Sequence, residues 1–167
     1  MDFANYRPCV GIMLFNRAGL VFVGRRRGKG LADRLRQSYE WQMPQGGIDH
    51  GEDPYQAALR ELLEETNVSS TAFLAESADW YSYDLPAGSL KKSWKGRFQG
   101  QRQKWFALSF EGEDTEINID TPAGGQRPEF DAWRWEEVGR LAELIVPFKR
   151  PVYEKVVEDF GHLAGPR

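Results

Sequence analysis

With 167 residues, 41 % hydrophobic and 28 % charged, the chain has the size and composition of a single domain, residues 1–167, with one sizeable core, which excludes a disordered or fibrous protein. No stretch approaches the roughly 18 consecutive apolar residues that a bilayer crossing needs, and MDFANYRPCV lacks the basic start and apolar run of a signal peptide, so a cytoplasmic protein with no membrane partner is expected. The formal net charge of −3 argues against coating nucleic acid nonspecifically, and no DNA partner is expected.

In chain order, residues 8–15 (PCVGIMLF) and 20–23 are apolar runs separated by Asn16-Arg17-Ala18-Gly19, the pattern of a β-hairpin. Cys9 is the only cysteine, so it forms no internal disulfide, and its apolar setting suits a buried structural thiol. Tyr39 to Met43 has the aromatic content of a strand end. After a glycine-rich turn comes a helix, then strands at Ala78–Asp84, Lys104–Phe110 and Ala132–Trp135. Trp133 and Trp135 alternate as sheet residues do. Helical spacing returns at Arg140–Leu144 and Arg150–Phe160, where Val152, Tyr153, Val156, Val157 and Phe160 share a face. The acidic stretch 111–120 and Gly124-Gly125 suit loops, and residues 163–167 suit a frayed end. A mixed sheet flanked by helices is the architecture these elements imply.

The glycine-rich turn and the helix behind it carry the chemistry. Asp53 is a preferred N-cap, Pro54 fits the first helical position and Gln56 occupies the capping-box position. Asn67 tolerates the left-handed conformation of a helix end, which places the last helical residue near Thr66. At about 100° per residue, Tyr55, Leu59, Leu62 and Leu63 gather on a core face, while Ala57, Glu61, Glu64 and Glu65 gather on the other. Like charges three and four residues apart repel by a few tenths of a kcal/mol, roughly, so a dense oxygen-only cluster invites a hard divalent cation, above all Mg²⁺. Gly46, Gly47 and Gly51 let the preceding loop turn its backbone toward that helix. Without more, an E-x-x-E-E stripe is commonly a solvated surface.

Two basic clusters flank this motif. Residues 25–37 hold six basic side chains against Asp33, and residues 91–105 hold six against none. Converging near the glutamates, they would hold a polyphosphate or an RNA backbone; otherwise they are solvated loops.

The full spacing is Gly46, five residues, Glu52, seven residues, Arg60-Glu61-Leu62-Leu63-Glu64-Glu65, one residue, Asn67, then an aliphatic. It resembles the Nudix box over residues 46–68, departing only at Asn67, where that box has glycine. Further likeness runs through Tyr6-Arg7-Pro8, Trp41 to Gly47, Gln101 to Phe106, Pro128 to Trp135 and Pro147 to Arg150. There the chain is similar to bacterial RNA 5′ pyrophosphohydrolases and the related dinucleoside polyphosphate hydrolases, with an expanded arginine-rich loop after Arg26.

That resemblance implies an α+β fold of the Nudix type, an α/β/α sandwich with a mixed, curved sheet and a glycine loop-helix-loop motif. It implies a Mg²⁺ or Mn²⁺ cofactor held by Glu61, Glu64, Glu65 and the Gly46 carbonyl, with Glu129 as a further ligand or a base. Arg26, Tyr83 and Lys104 would touch phosphates, Arg7 and Phe148 would lie near a base, and Phe148 or Trp94 could stack on it, a contact worth about 1–3 kcal/mol. Glu64 or Glu65 would orient or deprotonate the attacking water, Glu61 would act mainly as a ligand, and Arg60 would pair with a loop carboxylate. The implied substrate is 5′-triphosphorylated RNA, hydrolysed to a 5′-monophosphate in RNA decay. The alternatives are a dinucleoside polyphosphate such as diadenosine tetraphosphate, and a catalytically silent nucleotide- or RNA-binding module. The sequence leaves the oligomeric state open.

Overall fold

The computed structural model describes residues 4–27, 40–86 and 97–165; Trp94 and half of the basic side chains of each cluster lie outside them. One eight-stranded sheet dominates: β1 (Tyr6–Phe15), β2 (Val21–Arg26), β3 (Trp41–Gln42), β4 (Gln45–Gly47), β5 (Thr71–Glu76), β6 (Tyr81–Asp84), β7 (Gly100–Phe110) and β8 (Phe130–Glu136). Its spine runs β3-β2-β1-β7-β5, with β4 beside β1, β6 beside β7 and β8 beside β2. The pair β1 and β7 is parallel, in register from Tyr6↔Gly100 to Phe15↔Ser109. The other pairings are antiparallel, so the sheet is mixed.

Period-two alternation decides which layer each side chain enters. Val10, Ile12 and Leu14 of β1 join Phe106, Leu108 and Phe110 of β7 in one core, roofed by Ala57, Ala58 and Leu62 of α1 (Pro54–Thr66). Met13 and Phe15 join Trp105 and Ala107 in the opposite core, which receives Leu141 of the short α2 (Leu141–Leu144) and Val152, Tyr153, Val156 and Phe160 of α3 (Arg150–Phe160). The sheet is thus covered by helices on both faces, the expected layered α+β arrangement.

Local signals behave as the sequence suggests at the first hairpin. Asn16 Oδ1 accepts the amides of Ala18 and Leu20 at 3.0 and 2.9 Å, and Gly19 takes φ 81°. Trp133 and Trp135 lie in β8 and pack on Phe22. Cys9 is buried, which pushes its thiol up to about 11.

Four expectations need correction, and one strand, β5, was not anticipated. The glycine turn contains a short strand, β4, because Gln45–Gly47 hydrogen-bonds to the open side of β1 at Cys9–Gly11. Strand β5 lacks the alternation that would announce it: Phe73 is exposed and the register slips between Phe73 and Ala75. Arg140 belongs to a 3-10 turn, Val138–Arg140, that precedes α2. The segment after α3 is packed down, since Leu163 and Ala164 lie against the core and the Ala164 carbonyl faces Gly19; residues 166–167 fall outside the description. Finally, α1 is rotated from the expected orientation. Ala57 is buried and Leu63 is 40 % exposed, because the alanines permit a close approach to the sheet that a leucine at the same place would block.

Candidate active site

The N-terminus of α1 is fixed as its sequence suggests: Asp53 accepts the Gln56 amide at 3.1 Å, with Pro54 at the first position. Its C-terminus is Thr66, followed by Asn67 at φ 63°, whose amide donates to the Leu63 carbonyl. Between these caps, Glu61, Glu64 and Glu65 line a cleft of about 140 Å³ together with Pro122, Gln126, Arg127 and Glu129. The motif helix supplies one wall and the segment leading into β8 supplies the other.

Arg60 organises the turn. Its Nε and Nη2 donate to Glu52 at 2.9 Å each, Nη2 also reaches the Gly47 carbonyl at 2.8 Å, and Nη1 reaches Glu61 and Glu64 at 3.0 and 3.2 Å. Glu52 is therefore the loop carboxylate, and it also accepts the Asp49 amide at 2.9 Å. The Arg60 guanidinium holds the Glu52 carboxyl down to about 2, and the carboxylates in turn raise Arg60. Gly46 has a steric role: a Cβ there would overlap the Glu61 carboxyl group.

The carboxylates differ. Burial raises Glu61, opposed by Arg60. Glu65 is raised well above the ordinary range, first by burial, then by Glu129 and Glu61, against the Gln45 backbone amide, which lowers it. Glu65 Oε2 is sealed from solvent with no hydrogen-bond partner. A buried, orphaned carboxylate oxygen is costly unless something positive meets it. Together with an all-oxygen donor set and a glycine cradle, this fits a hard divalent cation. Among the described residues, no three carboxylate, histidine or cysteine side chains are already drawn into a finished cage. Arg60 holds two of the carboxylates, Glu61 and Glu64.

Of the other residues named from sequence, Tyr83 and Phe148 form a second group with Arg7 and Arg26 nearby. Arg7 lies against Gly47 and within the field of Glu61. Tyr83 is buried, packs on Phe148 with ring centroids 5.6 Å apart, and lies in the fields of Arg7 and Arg26. Lys104 stands apart, donating to the Ser77 carbonyl at 2.8 Å with Glu76 at 3.9 Å. Glu129 is exposed at the cleft. Sequence reasoning did not pick out Gln126, Arg127 or buried Lys149, which lies 5.4 Å from the Tyr83 ring centroid. For the first two, proximity to Glu129 was the available signal. For Lys149 there was none beyond its neighbour Phe148.

The chain belongs to the NUDIX domain family, whose profile matches residues 5–156. Members of this family are hydrolases that generally use divalent metals. The chain is 59 % identical to the RNA pyrophosphohydrolase of Nitrobacter winogradskyi over 164 residues, covering 98 % of this chain and 95 % of the relative. It is 58 % identical to that of Rhodopseudomonas palustris, covering 95 % and 94 %. Among solved structures, the E. coli dihydroneopterin triphosphate pyrophosphohydrolase superimposes with TM-score 0.66 at 19 % identity, covering 92 % of this chain and 97 % of that one. A C. elegans Ap4A hydrolase binary complex gives 0.61 at 16 %, covering 93 % and 98 %. These two likenesses concern the fold.

Proposed function

We infer that this protein is a divalent-metal-dependent RNA pyrophosphohydrolase, removing pyrophosphate from the 5′ end of triphosphorylated RNA and leaving a 5′-monophosphate that promotes RNA decay. One observation carries the reading at the site. Four carboxylates share a cleft in which Glu65 Oε2 is buried without a partner. The near-full-length similarity to RNA pyrophosphohydrolases supplies the substrate class. Among the described residues no helix is long and apolar enough to cross a membrane, and a cytoplasmic setting follows from the proposed substrate.

Glu61, Glu65 and Glu129, with the Gly46 carbonyl, would hold Mg²⁺ or Mn²⁺. When bound, the cation neutralises phosphate charge and acidifies a water. The side chains divide the remaining work. Glu64, half-exposed beside Arg60, takes the proton of the attacking water. Arg60 keeps the helix and turn in one geometry. Arg7, against Gly47, acts electrostatically on both Glu61 and Tyr83, so phosphates at the glutamates and a base near Phe148 can be gripped together.

The Glu64→Gln variant is expected to lose about 100-fold or more in kcat while still taking up Mn²⁺ by calorimetry, whereas Glu65→Gln is expected to lose ion affinity as well. Equal turnover in Glu64→Gln and wild type would remove Glu64 as the base. Substrate preference is decided by kcat/KM on a short 5′-triphosphorylated RNA against diadenosine tetraphosphate. A value for the dinucleotide far above that for RNA would overturn the RNA reading.

A further inference from the structure

Asn67, the one position at which the motif departs from the glycine of the family's box, has a side chain in use. While its backbone makes the left-handed cap, Nδ2 donates to the carbonyls of Asn118 and Thr121 at 2.8 and 3.0 Å. Asn118 is held in turn: its amide donates to the Thr66 carbonyl at 2.9 Å, its Nδ2 to Thr121 Oγ1 at 2.8 Å, and its Oδ1 accepts the Asp120 amide at 2.9 Å. Further along, Gln126 Nε2 donates to the Glu64 carbonyl at 3.2 Å. Glycine would supply the same backbone turn and neither side-chain bond to the Asn118 and Thr121 carbonyls.

The clamped segment supplies the second wall of the cleft, and with it Arg127. Of the side chains lining the cleft, Arg127 alone is cationic, set against four glutamates. Yet it is exposed and, among the described residues, forms no ion pair with any of them. A permanently charged, forked donor suited to phosphate oxygens is thereby kept available at the mouth of an acidic site that must admit a polyanion.

We propose that Arg127 is a substrate-contacting residue that grips the phosphate chain from the loop side of the cleft, and that Asn67 is the positioning residue that keeps it there. The proposal rests on reading the cleft as a phosphoanhydride site.

The test compares wild type, Arg127→Ala, Arg127→Lys, Asn67→Gly, Asn67→Asp and the double variant Asn67→Gly/Arg127→Ala on a 5′-triphosphorylated RNA, across a salt series. Arg127→Ala is expected to lower kcat/KM about tenfold or more, chiefly through KM, and to flatten the slope of log kcat/KM against log salt by about one, as loss of one phosphate contact does. Arg127→Lys should recover part of the loss and the full slope. Each Asn67 variant should show a smaller loss with the melting temperature little changed, and the double variant should be no worse than Arg127→Ala. An unchanged salt slope in Arg127→Ala, or losses that multiply in the double variant, would overturn the proposal. Should wild type hydrolyse neither RNA nor dinucleotide, the enzymatic reading falls by itself. Calorimetric binding of Mg²⁺-pyrophosphate then judges Arg127 alone, and equal affinity in wild type and Arg127→Ala refutes its role.

Discussion

Arg60 spends its guanidinium on architecture, and Glu52 shows how much. With the folded carboxyl held near 2 against an ordinary value of about 4.5, the pair stabilises the protein fully above the ordinary value. That contribution is lost as pH falls through the window from about 4.5 to 2. Glu52→Gln is therefore expected to melt a few degrees lower at neutral pH and to show a shallower loss of stability across that acid window, measured by thermal melts in a pH series. Turnover should fall too, although Glu52 does not line the cleft, because Arg60 would lose its closest charged partner in the turn and keep Gly47 and the cleft glutamates. At this scale much was legible: Asp53 and Asn67 act through bonds to residues three or four away, which spacing reveals, and Pro54 suits the first helical position by its fixed φ. What was illegible came from distant partners. The raised carboxyl of Glu65 feels the charge of Glu129 and a hydrogen bond from the Gln45 backbone, and the amide reach of Asn67 ends some fifty residues along the chain.

Among the elements, the motif helix teaches the clearest lesson. Its hydrophobic residues suggested a leucine face against the core, but the closest approach is made by Ala57 and Ala58, with Leu63 turned outward. Small side chains let α1 settle low enough for Glu61 to meet the Gly46 backbone and for Glu65 to accept from Gln45. Replacing Ala57 by leucine should overpack this contact and cost about 1–3 kcal/mol, whereas Leu63→Gln should stay within about 0.5 kcal/mol of wild type; denaturant melts would show the contrast. Strands β1, β7 and β8 were readable because alternating or continuous apolar residues mark them. Strands β4 and β5 were not, since a three-residue strand of Gln-Gly-Gly and a bulged, half-exposed edge leave no periodic trace.

Across the whole molecule, two cores share one sheet, and Lys149 is buried in the layer opposite α1. Burial, and next the nearby Arg26, lower its amine to about 8. A depressed lysine disfavours the charged form in the fold, so the penalty is fully present below about 8 and is relieved as pH rises toward 10.5. Lys149→Met should accordingly raise the melting temperature at pH 7 by several degrees and flatten the gain that wild type shows between pH 8 and 10.5. The layered class of the fold was legible from alternation and helix spacing. Its central pairing was not, because no local pattern announces that β1 lies parallel to β7.

That pairing has a temporal side. Tyr6 through Phe15 wait for Gly100 through Ser109 before their second edge is filled, and such distant partners bring slow closure. A chain still emerging from the ribosome cannot seat β1 against β7 until Gly100 through Ser109 have emerged. Pyrophosphate release from RNA by this protein therefore cannot begin before β7 and, behind it, Glu129 have left the ribosome.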